Sequence, residues 1–219
     1  MAKPESGLES AAAKQNMGGM DDGAPKDKGK DGDGDFLSGR ILIAMPGIDD
    51  PRFDRSILLI CEHTDEMAMA IALNRPVDGL TLPDVLEKLK VKAEPGLDQE
   101  PVLFGGPVER ERGRVLHTDD YDCPGSTVPV TEGVAMTSTR EVLDAIGDHA
   151  KRPRRSILAL GYAGWGPGQL ERELQDNVWL TCDPDESLLF GHDYEDKWGK
   201  ALAKIGVSAG QLSTQSGRA

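Results

Sequence analysis

The sequence lacks long apolar segments. Apolar runs such as Ile57–Cys61 are far shorter than the roughly 20 residues that a helix needs to cross a bilayer. The N-terminal segment also lacks the form of a signal peptide, because Ala11–Ala13, its nearest approach to an apolar block, is surrounded by acidic residues. We therefore expect no membrane association and a cytoplasmic location.

Cysteine is scarce too. The three cysteines, Cys61, Cys123 and Cys182, are widely separated and odd in number, which is typical of free thiols in a reducing compartment. Cys61 and His63 would share one face of a strand and offer two metal ligands, but no C-x-x-C or paired histidine motif completes a set. The sequence thus predicts neither a metal site nor a cofactor.

Positive charge is in deficit. Lysine and arginine number 25 against 38 acidic residues, so the formal charge is −13, which argues against broad binding to a phosphate backbone. The one dense basic run, Lys151–Arg155, could contact a phosphate or an acidic partner, although a solvated turn between a helix and a strand is the favoured interpretation. Pro153 interrupts any helix-turn-helix there. We do not expect direct binding to nucleic acid.

Residues 1–35 contain no Val, Ile, Phe, Tyr or Trp. Such a segment cannot bury enough apolar surface to offset its chain entropy, so we predict a disordered acidic tail rich in Gly, Lys and Asp. The alternating acids Asp31, Asp33 and Asp35 do not form a calcium loop, because Phe36 and Leu42 replace the glycine and glutamate that such a loop requires. A single domain is predicted over residues 36–219.

Short apolar runs between Gly and Pro breaks predict the strands of this domain. They are Ile41–Ala44, Ile57–Glu62, Met69–Leu73, Val102–Phe104, Arg114–His117, Val134–Met136, Ser156–Leu160 and Val178–Thr181. Because the strands cluster early and alternate with helices later, the pattern predicts an α+β fold and not a regular doubly wound one.

Capping patterns predict where the helices begin. Thr81 with Asp84, and Ser138 with Glu141, form candidate capping boxes, and Asp193 is a candidate N-cap for the last helix. The expected core positions of these helices are Val85, Leu86 and Leu89, then Val142, Leu143 and Ile146, then Trp198, Ala201, Leu202 and Ile205.

The stretch Arg155–Leu174 organises the chain. We expect a strand to Leu160, a glycine turn over Gly161–Gly168, and a helix over Gln169–Gln175. Free N–H groups at that helix start could hold an anion, but the glycines match neither the G-x-G-x-x-G nor the P-loop pattern. Packing of Trp165 and the turn against the sheet is the favoured interpretation.

Several long motifs in this order resemble the YqgE/AlgH family of bacterial proteins. They are LSGRILIAMPGIDDPRFDRSILLICEH (residues 37–63), LNRP (73–76), FGGPVERERGRVLHT (104–118), GYAGWGPGQLERELQDNVWL (161–180) and LLFG (188–191) with Trp198. The acidic tail and the absence of glycines before LNRP depart from the family pattern. The resemblance implies an α+β fold with a bifurcated, partly barrel-like β-sheet surrounded by helices. It implies no catalytic residues, and some members are labelled transcriptional regulators.

The leading hypothesis is a non-enzymatic module that binds an unknown small molecule or protein through three loops, Leu73–Pro76, Phe104–Pro107 and Gly161–Gly168, since glycine- and proline-marked loops beside strands commonly display binding groups. The candidate binding residues are Asn74, Arg75, Gly105, Gly106, Pro107, Gly161, Gly164, Trp165 and Gly166. A transcriptional regulator is the alternative. An enzyme is the second alternative, with His63 or His117 as base and Ser56 or Cys123 as nucleophile, although no motif activates them.

Overall fold

The computed structural model describes residues 36–95, 97 and 99–212, so the predicted tail over residues 1–35 lies outside the described part. Ten strands are found there: β1 Ile41–Ala44, β2 Ile57–His63, β3 Ala68–Ala72, β4 Pro76–Thr81, β5 Pro101–Phe104, β6 Val108–Thr118, β7 Thr127–Thr131, β8 Val134–Thr137, β9 Ser156–Trp165 and β10 Trp179–Cys182. The α-helices of the same part are α1 Leu82–Lys88, α2 Arg140–Ile146, α3 Gln169–Gln175, α4 Glu186–Phe190 and α5 Lys197–Lys204. Within these described residues, no helix is long and apolar enough to cross a membrane.

The strands form one curled sheet with a side branch. Its main path runs β10-β1-β2-β3-β9-β6-β8-β7, and every neighbouring pair on that path is antiparallel. The branch leaves at β9, which also pairs in parallel with β5, and β5 pairs with β4. The predicted α+β fold, with a bifurcated and partly barrel-like sheet surrounded by helices in a single domain, is therefore confirmed.

Successive side chains of a central strand belong to different hydrophobic clusters. On β1, Ile41 and Ile43 join a cluster that includes residues of α4 and α5, whereas Leu42 and Ala44 join a cluster that includes Leu170 of α3. Since successive strand residues point to opposite faces, a strand that is covered on both sides must be apolar throughout. This double burial explains the unbroken apolar runs that predicted the central strands.

Two strands were absent from the sequence prediction. Strands β4 and β7 begin with or contain proline, at Pro76 and Pro129, and of their residues only Val130 is buried. Each pairs with a single neighbouring strand, β4 with β5 and β7 with β8. Edge strands tolerate proline because one side of the backbone forms no ladder, so these strands carry little apolar signal.

The helix predictions are partly confirmed. Thr81 and Asp84 form the expected capping box on α1. The predicted box of Ser138 with Glu141 is wrong, because the N-cap of α2 is Thr139 and its side chain makes no capping hydrogen bond. Asp193 is not the N-cap of the last helix, since α5 starts at Lys197 after an N-cap at Asp196.

The predicted core faces of the helices are mostly found. Val142, Leu143 and Ile146 of α2 and Trp198, Ala201 and Leu202 of α5 are buried, as is Leu86 of α1. Leu89 is an exception: it lies at the C-cap of α1 and is exposed. Helix periodicity thus identified the buried faces, while local turns set the ends of the helices.

Candidate functional site

The three predicted loops meet at the branch of the sheet. Up to Leu160, one edge of β9 pairs with β5, and from Ala163 onward the same chain pairs with β3. The Gly105 N–H donates to the Leu160 carbonyl at 2.8 Å, and the Ala72 N–H donates to the Gly105 carbonyl at 3.0 Å. The Phe104 N–H donates to the Arg75 carbonyl at 2.7 Å. The motifs are therefore neighbours in space.

The expected glycine turn after Leu160 is wrong, because β9 continues through Gly161 and Gly164 to Trp165. A Cβ at Gly161 would lie 2.4 Å from the carbonyl oxygen of Gly106, and one at Gly105 would lie 2.4 Å from that of Gly161. Gly161 also has a φ of +73°, which side chains rarely adopt. Gly105, Gly106 and Gly161 therefore allow β5 to separate from β9 and β3 to pair with β9 in its place. The main chains of these glycines lie too close together to leave room for side chains.

Asn74 and Arg75 hold the turn before β4. The buried Asn74 accepts the Ile57 N–H at its Oδ1 and donates from Nδ2 to the Arg55 carbonyl, both at 2.9 Å. The Arg75 guanidinium donates to the Asp54 carbonyl at 3.2 Å. These contacts tie the end of β3 to the segment before β2. Pro107, next to the branch, is half-buried.

Trp165 lies in the core, as the favoured interpretation expected, with 6% of its surface exposed. Its indole N–H and that of Trp179 both donate to the same oxygen of Glu173, at 2.8 and 2.7 Å. The two rings meet edge to face at 5.9 Å between centroids. Gly164 and Gly166 are exposed beside this cluster. These internal contacts do not test whether any of the nine candidate residues binds a ligand. Their role in binding stays a prediction.

The candidate catalytic residues are buried or half-buried. His117 is fully buried, with Nδ1 bonded to the Thr118 carbonyl and Nε2 to the Thr137 hydroxyl, both at 2.9 Å. Ser56 is also fully buried. Cys123, the other candidate nucleophile, is half-buried, and its backbone N–H donates to the Thr127 hydroxyl at 2.8 Å. Burial also raises the pKa of the Cys61 thiol, to about 12.

His63 is buried against the chain that enters β1. Its Nδ1 accepts the Leu37 N–H at 3.0 Å, which places the ring proton on Nε2, 2.7 Å from Glu171. Cys61 belongs to the cluster that includes residues of α4 and α5, whereas His63 contacts Leu37 and Glu171, which lie with the cluster of α3. A register shift between Ile60 and Glu62 breaks the alternation of β2, so the predicted shared face of Cys61 and His63 is wrong. Across the described residues, no group of three His, Cys, Asp or Glu side chains could hold a metal ion.

A cleft of about 200 Å³ lies away from the branch, where the ends of four elements converge. Leu82 begins α1, Ile146 ends α2, Ser156 begins β9 and Phe190 ends α4. The remaining lining residues are Leu97, Glu100, Arg152, Pro153, Arg154 and Arg155. At about 30 Å³ per water, this volume equals roughly seven waters.

Three arginines supply positive charge to the cleft. Arg152 donates from Nη2 to Nδ1 of His149 at 2.5 Å, and its Nε is buried without a hydrogen-bond partner. Arg155 forms a loose ion pair with Glu186 at 3.6 Å, with both side chains well exposed. Arg154 is exposed beside them. Their guanidinium groups have donors in excess of these bonds.

Glu100 contributes negative charge to the same cleft. Its carboxylate lies 3.5 Å from Nδ1 of His192, and the two residues also line a shallower hollow with Gln99 and Pro101. The charge of Glu100 also acts on the buried ammonium of Lys197. Glu100 therefore lines both the cleft and a second hollow, and the residues that line the cleft carry charges of both signs.

Lys197 is 1% exposed, an unusual position for an ammonium group. Its Nζ donates to the carbonyls of Leu73 and Leu189, at 3.0 and 3.3 Å, and lies 5.0 Å from the centre of the Tyr194 ring. Burial lowers the pKa of Lys197 to about 8, and the charge of Glu100 acts in the opposite direction. No sequence motif identifies Lys197, because its partners Leu73 and Leu189 are brought together only by folding.

The sequence identified the basic run but not the cleft. The run lies in the turn between α2 and β9, as expected, and Arg154 and Arg155 are exposed. The sequence could not indicate that Leu82 and Phe190, from distant segments, would form the opposing wall.

Comparisons with known proteins agree with this fold. A family model described as AlgH-like matches residues 41–210. A UPF0301 protein of Caulobacter vibrioides is 60% identical over 189 residues, which cover 86% of this chain and 97% of the relative. A UPF0301 protein of Rhodopseudomonas palustris is 47% identical, covering 85% and 88%.

Solved structures give the same result. The solution structure of the AlgH protein from Pseudomonas aeruginosa is 40% identical, with a TM-score of 0.68, and the match covers 87% of this chain and all of that one. A crystal structure from Corynebacterium diphtheriae shares the fold at 21% identity, with a TM-score of 0.60 over 76% of this chain and 85% of the other. The chain therefore belongs to the AlgH-like, UPF0301 family.

Proposed function

We propose that this protein is a non-enzymatic binding module whose ligand is a small anion held in the cleft beside Arg152, Arg154 and Arg155. The observation that carries the proposal is that three arginines are among the residues that line one concave site, in a chain with a formal charge of −13. Guanidinium groups bind carboxylates and phosphates through paired hydrogen bonds, and apolar lining residues exclude water around them.

The internal contacts of the other candidate residues favour binding over catalysis. Both nitrogens of His117 are bonded and Ser56 is fully buried, so neither is exposed to a substrate as base or nucleophile. The free state of Cys61, Cys123 and Cys182 agrees with a reducing, cytoplasmic location. A regulatory role, the alternative that the family resemblance implies, would then act through the bound ligand or a protein partner.

Isothermal titration at pH 7 tests this proposal, with inorganic phosphate, ethyl phosphate and butyrate as probes. We expect millimolar or tighter binding to the full chain, and a loss of at least about tenfold for Arg152→Ala or Arg155→Ala, because each removes one charged donor. Arg112→Ala is the matched control, since Arg112 lies outside the cleft, 74% of its side chain is exposed, and its loss changes net charge equally. Equal weakening by all three variants would reduce the effect to net charge, and absence of binding to every probe would refute the proposal.

A further inference from the structure

A histidine beside the cleft occupies one of the hydrogen-bond donors of Arg152. Nη2 of Arg152 lies 2.5 Å from Nδ1 of His149, and Nε2 of the same ring lies 3.0 Å from the Pro95 carbonyl. An arginine side chain only donates hydrogen bonds and a carbonyl only accepts them, so Nδ1 is the acceptor and Nε2 carries the ring proton. The contact between His149 and Arg152 therefore requires a neutral ring.

A proton added to His149 would go to Nδ1. Its N–H would then face an N–H of Arg152, so the hydrogen bond would be lost and two positive charges would meet. Histidine is the side chain whose charge ordinarily changes between pH 5 and 8. Acidification within this range therefore separates Arg152 from His149.

The separated Arg152 would need a new acceptor. Its Nη2 would have lost His149, and its Nε is already buried without a hydrogen-bond partner. Arg152 lines the cleft, so an anion bound there is the acceptor within its reach. Protonation of His149 also adds a positive charge three residues from Arg152. Both effects favour an anion in the cleft.

The charged side chains that face His149 come from its own turn and from the segment before β5: Asp148, Lys151, Arg152 and Glu94. Glu94 accepts the His149 backbone N–H at 2.7 Å, and the same carboxylate oxygen lies 3.8 Å from Nε2 of the ring. Asp148 is paired with Lys151 at 2.9 Å. A protonated His149 thus loses Arg152 but keeps a carboxylate, that of Glu94, beside its other nitrogen.

We infer that anion binding in the cleft is coupled to protonation of His149, which releases Arg152 to the ligand, so that the protein binds its anion more tightly at acidic pH. The inference rests on the proposed function and assigns a regulation to the same site. His149 is a positioning residue here, because it acts on the anion through Arg152. Since such coupling is reciprocal, the bound anion also favours proton uptake by His149.

Titrations of the full chain at pH 8 and pH 6 measure the coupling. Sulfate and butyrate are the probes, because both remain ionised over this range, whereas phosphate gains a proton as pH falls. Each probe that binds should have a dissociation constant about fivefold lower at pH 6 than at pH 8. This comparison uses the wild type alone, so it does not depend on how a variant folds.

Two substitutions of His149 test the assigned residue. His149→Asn provides a neutral acceptor near the position of Nδ1, so its affinity should stay at the wild-type pH 8 value at both pH values. His149→Ala removes the acceptor without adding charge, so it should bind the probe more tightly than the wild type at pH 8 and lose the pH dependence.

His192→Ala is the matched control. His192 is a second histidine beside the cleft, 3.5 Å from the Glu100 carboxylate, and it makes no contact with Arg152 among the hydrogen bonds and ion pairs of the described residues. This variant should keep the wild-type pH dependence. Thermal melts at both pH values verify that all three variants are folded.

The outcomes separate this inference from the proposed function. Equal binding by the wild type at pH 6 and pH 8 would overturn the coupling and leave the anion site intact. A pH dependence that survives His149→Asn, or that His192→Ala removes, would overturn it too, as would a His149→Ala variant that binds no more tightly than the wild type at pH 8. If neither sulfate nor butyrate binds, the inference fails, and the proposed function fails with it only when phosphate and ethyl phosphate also do not bind.

Discussion

Lys197 should make the stability of this protein rise with pH above about 8. Its pKa is about 8 in the folded chain, against a usual value of 10.5, because burial disfavours the charged ammonium. Between these two values the unfolded chain binds one proton more than the folded chain, so the free energy of unfolding increases as pH rises. Below pH 8 both states are protonated, and this contribution is constant.

The size of the effect follows from the two pKa values. They differ by about 2.5, and a pKa difference of one is worth about 1.4 kcal/mol, so the free energy of unfolding should gain about 3 kcal/mol between pH 8 and 10.5. This is a large share of the roughly 5–15 kcal/mol that stabilises a typical domain.

Urea unfolding of the wild type and Lys197→Met from pH 7 to 10.5, under reducing conditions, measures this gain. The buried Cys61 and Tyr194 also have raised pKa values, each of about 12, so their unfolded forms ionise first and stability falls as pH rises. Both groups remain in the variant, and their contributions cancel to first order in the difference between the two curves. Lys88→Met, at the exposed end of α1, is the matched control.

We expect the wild type to gain stability over Lys197→Met as pH rises, and to run parallel to Lys88→Met. The absolute difference at pH 7 is less informative, because methionine removes a buried charge but leaves the carbonyls of Leu73 and Leu189 without their donor. A difference between wild type and Lys197→Met that stays constant from pH 7 to 10.5 would refute the reasoning.

Three further predictions concern the core, the tail and DNA. Trp165→Ala should lower the free energy of unfolding by about 3–5 kcal/mol, because it removes a buried aromatic ring; an unchanged denaturant midpoint would contradict its core position. Removing residues 1–35, so that the chain starts at Phe36, should change stability by no more than about 0.5 kcal/mol in thermal melts; a larger fall would indicate that the tail is docked. In titrations with labelled DNA from the region upstream of its own gene, at several salt concentrations, the protein should show no sequence-selective binding near 10⁻⁸ M. Nanomolar selective binding that is lost on changing Arg154 and Arg155 to alanine would support the regulator instead.

Much of the sheet could be predicted because its central strands are apolar on both faces. The runs that became β1, β2 and β3 needed no knowledge of their partners, since covering from two sides leaves a continuous signal. The edge strands β4 and β7 have no such covering, and their prolines read as breaks.

The glycines of β9 were misinterpreted for a related physical reason. A glycine after an apolar run usually indicates a turn, because glycine readily adopts the positive φ that many turns require. Here the same freedom lets one strand change partners without ending, and that outcome depends on Gly105 and Gly106, more than 50 positions earlier. The cleft could not be predicted either, because its walls are the ends of helices and strands that are distant in sequence and come together only in the folded chain.

The contact between glycine backbones at the branch has a consequence for how this protein can change. When a side chain is too large for its site, a second substitution usually relieves the strain by trimming the neighbour. At Gly105 and Gly161 no such rescue exists, because the atom that a new Cβ would strike is a main-chain oxygen that every amino acid carries. A second mutation elsewhere therefore cannot compensate for a side chain at Gly105 or Gly161. Redesign of the domain can vary the cleft but has to keep the glycines of the branch.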